Sequence, residues 1–203
     1  MNDPSNGYDA IAAPFAASRE SRPIGIGHVT SWASRFAPGS AILDLGCGTG
    51  LPIARSLSAA GLHVFGVDAS PAMVAAFRTN VPEAAVVCEP VETSAFFDRS
   101  FDGVIAWGLL FLLPAEVQTG LIARVARVVK PGGSFLFTAP SVPCHWNDVL
   151  TGQTSESLGA DGYAAALDAA GLTLLREYED EGENHYYEAE LGERSRTADG
   201  SAR

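Results

Sequence analysis

A chain of 203 residues, 47% of them hydrophobic, has enough apolar material to bury a substantial core, and its length suits one domain. Its 24 acidic against 13 basic residues leave a net charge of −11, which excludes the broad basic face that a nucleic-acid partner demands. No apolar run reaches the ~18 residues of a membrane span, and the odd, scattered Cys47, Cys88 and Cys144 make neither a disulfide framework nor a zinc-ligand spacing.

The opening "MNDPSNGYDA" lacks a basic-then-apolar leader, so the expected location is cytoplasmic, with free thiols. The first forty residues contain "YDAIAAPFAASRE" and "VTSWASRF", which read as two helices laid over the edge or top of a sheet. Short β-rich runs then alternate with helix-length segments. Strands are expected at 41–45, 63–68, 84–88, 101–107 and 134–139, and helices at 51–60, 71–80 and 114–129. Ser70 is a natural N-cap before Pro71, and "KPGG" at 130–133 closes the third helix because Pro131 cannot continue it. This alternation predicts an α/β fold, a Rossmann-like doubly wound sheet, mostly parallel, with helices on both faces.

The last third is less regular. "APSVPCHWNDVL" (139–150) is an insertion expected to hang over the pocket, and a helix near 163–170 closes at Gly171. "LTLLREY" (172–178) and "NHYYEAEL" (184–191) face each other across the acidic turn "EDEGE" as a terminal antiparallel hairpin whose acidic residues read as solvated. Residues 192–203 have almost nothing to bury and are expected to be disordered. Residues 1–191 thus read as one domain: a helical cover (1–40), a core (41–140), then the insertion and hairpin (141–191).

"AILDLGCGTG" (41–50) sends a strand into three glycines, Gly46, Gly48 and Gly50. In an open parallel sheet, ligands bind beyond the carboxyl ends of the strands, and glycines let the backbone turn and approach closely. A dinucleotide fingerprint would place its third glycine one residue later. Asp44 is more telling, because a carboxylate repels a pyrophosphate and attracts an ammonium or sulfonium group. A cofactor with a cation and no phosphate is implied, and S-adenosylmethionine fits. Asp68, ending the second strand, suits two ribose hydroxyls, although NAD needs the same group. The plainer alternatives are a helix-capping Asp68 and a buried Asp44 satisfied by backbone amides.

In this order, "ILDLGCGTG", "VFGVDAS", "SFDGVIAW" and "VVKPGGSFLF" resemble the class I S-adenosylmethionine-dependent methyltransferases, in particular small bacterial methyltransferase-domain proteins. The resemblance implies a seven-stranded sheet whose last strand is antiparallel, with S-adenosylhomocysteine as product. It implies that Asp44, Gly46, Cys47, Gly48 and Gly50 surround the methionine part, that Asp68 clamps the ribose, and that Ala69 packs on adenine. Where relatives carry an Asp for the adenine amino group, this chain has Pro90, so Val91 and Glu92 take that role. "GYDAIAAPF" resembles the family's opening, which brings Tyr8 over the cofactor; a helix-packing aromatic is the alternative.

Methyl transfer is an in-line displacement that mainly needs alignment, with a base only for a protonated acceptor atom. Trp107 falls where a family residue faces the methyl group, and an Asn-Pro-Pro-Tyr sequence is not present there. His145 is the expected base, His185 a weaker one, and Trp107, Phe111 and Trp146 the expected acceptor walls. His28 and Arg19 in the cover are further candidates toward an anionic substrate. The expected function is metal-independent methylation of an O, N or S atom of a small molecule in an enclosed apolar pocket, by a monomer or homodimer without membrane or nucleic-acid partners. Rival readings are a non-catalytic S-adenosylmethionine-binding module and an NAD-dependent oxidoreductase.

Overall fold

The computed structural model describes residues 3–21 and 24–192; apart from Gly192, the tail expected to be disordered lies outside them. In chain order the strands are β1 (Ala41–Leu45), β2 (His63–Asp68), β3 (Ala85–Cys88), β4 (Phe101–Ala106), β5 (Val129–Thr138), β6 (Cys144–Asn147), β7 (Thr154–Ser157), β8 (Leu172–Glu179) and β9 (His185–Leu191). The helices are α1 (Ala12–Ser21), α2 (Ile26–Ala33), α3 (Ile53–Ala59), α4 (Pro71–Asn80), α5 (Ala115–Val128) and α6 (Gly159–Ala169).

Seven strands form one sheet in the order β3-β2-β1-β4-β5-β9-β8. β1 pairs in parallel with both β2 and β4, so the chain reverses its direction of progress across the sheet at β1. That reversal opens a crevice beyond the carboxyl ends of β1 and β4. β9 runs antiparallel to β5 and β8, so the antiparallel last strand sits one place in from the edge. It therefore begins at the same end of the sheet where the parallel strands finish.

All five residues of β1 are buried, the pattern of a strand covered on both faces. On one face, Leu121, Ile122 and Val125 of α5 and Tyr163 and Leu167 of α6 meet Phe135, Phe137 and Tyr187. There the Phe137 and Tyr187 rings stack at 4.7 Å. On the other face, Trp32 of α2, Leu57 of α3 and Phe77 of α4 cover Ile42, Ile105 and Tyr186. Trp32 is fully buried, and its indole N–H donates to Ser134 Oγ at 2.9 Å. Gly103 makes room for it, since a Cβ there would lie 2.9 Å from the indole.

The structure departs from the sequence expectations at a few places. β5 starts at Val129, not 134: "KPGG" ends α5 as expected but lies inside the strand, where the register against β4 shifts. Lys130 is anchored there on Asp102 at 2.8 Å. α3 starts at Ile53, two residues later than expected, and α6 starts earlier, at Gly159. Within the insertion, β6 and β7 form a separate antiparallel hairpin; "TSES" carries no apolar signal for a strand, and the four-residue alternation of "CHWN" is too short to read as one.

Replacing Trp32 by Ala empties the α2–sheet interface and orphans Ser134, so urea unfolding should show a loss of about 3–5 kcal/mol. A loss below about 1 kcal/mol would mean that α2 contributes little to holding the sheet.

Candidate active site

A cavity of about 230 Å³ runs along the carboxyl edge of the sheet. One half is built from the ends of β1, β2 and β3. Gly46, Gly48, Asp68, Ala69, Met73, Val91 and Glu92 line it. Gly48 adopts φ 53° with nothing within 4 Å of a Cβ position, so its backbone is bare toward the cavity. Gly50 serves differently: a Cβ there would meet Val81 at 2.8 Å and Phe77 at 2.9 Å, which makes it a packing glycine outside the lining. Cys47 also lies outside, buried in the opposite core with burial pushing its thiol well above the usual range.

Asp68 holds this half together. Its Oδ2 accepts from Gly48 N–H and its Oδ1 from Ser70 N–H, both at 2.8 Å. Burial pushes its carboxyl up, and these two N–H groups work against that shift. The helix cap is Ser70, whose Oγ accepts from Met73 N–H at 3.1 Å. Asp68 thus lines the cavity and fixes the entry of α4 through the backbone, so the two sequence readings of it coexist. Asp44 lies beneath the loop, 2% exposed and outside the lining, with Oδ2 lacking any hydrogen-bond partner. Burial, aided by the charge of Asp68, pushes its carboxyl up to about 8.

The other half is built from the ends of β4 and β5, the start of β9 and the segment after β4. Trp107, Gly108, Leu109, Phe111, Leu112, Leu113, Thr138 and Asn184 line it. Trp107 donates its indole N–H to Tyr186 Oη at 2.7 Å, and Gly108 N–H donates to Thr138 Oγ1 at 2.8 Å. Trp146 is outside the lining but backs it, 5.6 Å from the Phe111 ring.

The N-terminal segment roofs both halves with Pro4, Ser5, Asn6, Tyr8 and Phe15. Asp9 accepts from Ser70 Oγ at 2.7 Å and Ala72 N–H at 2.9 Å, which pins the roof to α4. Tyr8 Oη donates to Asp148 at 3.2 Å, which pins it to the β6–β7 turn. Tyr8 is therefore over the cavity and also packed edge-on against Phe15 at 5.2 Å.

Neither expected base reaches this space. The His145 side chain is 69% exposed on the hairpin, 3.7 Å from Glu156. His185 turns onto the sheet face, where Nε2 meets Glu177 at 2.8 Å and the ring lies 4.9 Å from that of Tyr187. His28 stacks on Tyr178 at 4.9 Å and lines a separate surface depression, while the Arg19 side chain lies outside the described residues. Among the described residues the lining includes no His, Lys, Arg or Cys, and no group of three metal-ligating side chains is present. No described helix is long and apolar enough to cross a membrane.

Among the lining residues that sequence reasoning missed are Asn6, Phe15, Met73, Thr138 and Asn184. Thr138 was within reach, since it lies one residue from the end of the strand expected at 134–139; Asn184 required knowing which end of the sheet the antiparallel strand enters.

Comparison with known proteins adds the following. A family described as a methyltransferase domain matches residues 42–133. An uncharacterized methyltransferase of Synechocystis sp. (strain ATCC 27184 / PCC 6803 / Kazusa) is 32% identical over 153 residues, covering 70% of this chain and 71% of that protein. An aklanonic acid methyltransferase of Streptomyces sp. (strain C5) is 31% identical over 144 residues, covering 67% of this chain and 61% of that one. Among solved structures, a magnesium protoporphyrin IX methyltransferase from Synechocystis PCC 6803 with bound SAH superposes with a TM-score of 0.68 at 18% identity, covering 82% of each chain, which shows the shared fold.

Asp44 gives the site a pH signature. Its folded value of about 8 lies above the ordinary 3.8, so the folded state holds the proton more tightly. The resulting stabilisation is full below about pH 4 and is lost as the pH rises through about 8. In thermal melts from pH 5 to 8.5, the wild type should lose stability relative to Asp44→Asn as the pH rises. A constant difference between the two would show that Asp44 titrates normally.

Proposed function

The chain belongs to the class I S-adenosylmethionine-dependent methyltransferases, and from that membership we propose that it methylates an O, N or S atom of a small-molecule acceptor held in the cavity described above. The observation that carries this reading is the cavity's division, with a glycine-and-carboxylate half beyond β1 and β2 continuous with an aromatic half beyond β4 and β5. Such a shape suits two ligands side by side, one polar and one largely apolar.

The residues present fit S-adenosylmethionine. Asp68 has lone pairs left for two ribose hydroxyls after accepting its two backbone N–H groups. Ala69 and Val91 offer apolar surface to an adenine ring, with Glu92 at its rim. Val91's carbonyl already accepts from Arg124, which leaves the Val91 N–H and the Glu92 backbone and side chain as the turn's polar offering to adenine. The orphaned Oδ2 of Asp44, beneath the Gly46–Gly48 loop, would gain from a cation arriving above it, while the Asp68 carboxylate in the lining disfavours a pyrophosphate. When bound, this cofactor supplies an activated methyl group on a positively charged sulfur. The protein's own contribution is alignment: Trp107, held by Tyr186, and Thr138, held by Gly108, form a rigid wall at the junction of the two halves. The N-terminal segment over the cavity and the modest volume beneath it support a small acceptor, and the exposed or paired histidines support a transfer without a histidine base.

S-adenosylhomocysteine should raise the melting temperature of the wild type, and calorimetry should show Asp68→Ala weakening its binding by about 1–3 kcal/mol. Unchanged affinity would remove Asp68 from the cofactor site. With an acceptor in hand, His145→Ala and His185→Ala should each keep turnover within about twofold; a fall of ~100-fold in either would restore that histidine as a base.

A further inference from the structure

Asp180 sits in the turn between β8 and β9, yet it is only 8% exposed. Its Oδ1 accepts from Gly182 N–H at 2.8 Å and from Asn184 N–H at 3.0 Å, and Asn184 Nδ2 lies 3.0 and 2.9 Å from its two oxygens. Tyr186 Oη donates to Oδ2 at 2.9 Å while accepting from Trp107, so one carboxylate holds two walls of the aromatic half. An ionised carboxylate only accepts. Partial burial pushes its carboxyl up, but donation from Asn184, Gly182 and Tyr186 outweighs this and holds it below the usual range. The Asn184 nitrogen is therefore committed to Asp180, and of its two amide atoms the carbonyl oxygen is the one left for a ligand in the cavity that the residue lines.

We propose that Asn184 is a specificity-determining residue whose Oδ1 accepts an N–H from the methyl acceptor, and that this acceptor is an aromatic or alkyl amine. The proposal rests on the methyltransferase reading and deepens it. Three features of the cavity converge. Its outward-facing fixed group here is an acceptor, so the partner must carry a donor. Its charged lining residues, among those described, are Asp68 and Glu92 of the cofactor half, whose negative field across the cavity favours an ammonium over a carboxylate, phenolate or thiolate. Phe111, with Leu109, Leu112 and Leu113 beside it in the lining, supplies apolar surface suited to the acceptor's hydrocarbon body. Proton balance agrees. The ammonium releases one proton to water, the free nitrogen lone pair forms the N–C bond, and the C–S pair leaves on sulfur as a neutral thioether. The methylated product carries the positive charge, and no side-chain base is required.

The test uses the full chain saturated with S-adenosylhomocysteine and three probes of one shape: phenethylamine, 2-phenylethanol and 3-phenylpropanoate. Calorimetry should show the amine binding at least about tenfold more tightly than the other two. Asn184→Ala should weaken the amine by about tenfold while S-adenosylhomocysteine stays within about twofold, a readout that a merely structural role would not separate. An alcohol or carboxylate binding as well as the amine, no amine binding up to ~10 mM, or an amine indifferent to Asn184→Ala would each overturn the proposal. The wild-type probe comparison stands even if the variant fails to fold. Failure of S-adenosylhomocysteine to bind the wild type would instead overturn the methyltransferase reading of the site, and this proposal with it.

Discussion

The cofactor half of the cavity depends on a carboxylate shared between two loops. Asp68 ends β2, and its oxygens reach the glycine turn after β1 through Gly48 and the mouth of α4 through Ser70. Burying a charge is costly unless hydrogen bonds replace the lost water, and here two backbone donors do so. In return the carboxylate stiffens two strand-to-helix connections that would otherwise be free to move separately. Gly48 reaches its left-handed conformation because it has no Cβ, with its N–H held by Asp68, and Ser70 is placed to cap α4 and to meet Asp9 of the roof. Glycine turn, helix mouth and roof are thus tied to one side chain.

Much of this was legible in the sequence because it is local. The central strands are continuous apolar runs, since helices cover both faces of the sheet, and the strand ends carry their own punctuation in Gly46, Gly48, Asp68 and Ser70. The aromatic half was less legible because it is assembled from distant segments. Thr138 and Asn184 become neighbours only when β9 is laid antiparallel against β5. His145 was attractive for its chemistry, but side chains alternate along a strand. In β6 it is Trp146 that turns toward Phe111, which leaves His145 outward beside Glu156. The acidic run before β9 hid another exception: composition says solvated, yet Asp180 is the anchor of Tyr186 and Asn184.

Asp44 and Asp180 show how differently one side chain behaves in two buried settings. Around Asp180, backbone, amide and hydroxyl donors converge and the charge is kept. At Asp44 no donor reaches Oδ2, a second acid lies nearby, and the proton is retained to about pH 8. The first arrangement suits a rigid support. The second suits a group that ionises when positive charge arrives, because an incoming cation supplies the favourable interaction that the protein withholds. Burial alone therefore does not decide whether an acid is structural or responsive; the local supply of donors does.

The roof has an evolutionary consequence. Asn6, Tyr8 and Phe15 belong to the first fifteen residues, whereas the cofactor half is built on the sheet's own strand ends. Exchange of that short segment would remodel the roofed space and leave the strand register of the sheet intact. Diversification can then proceed in the roof segment, while the strand register beneath it is inherited unchanged.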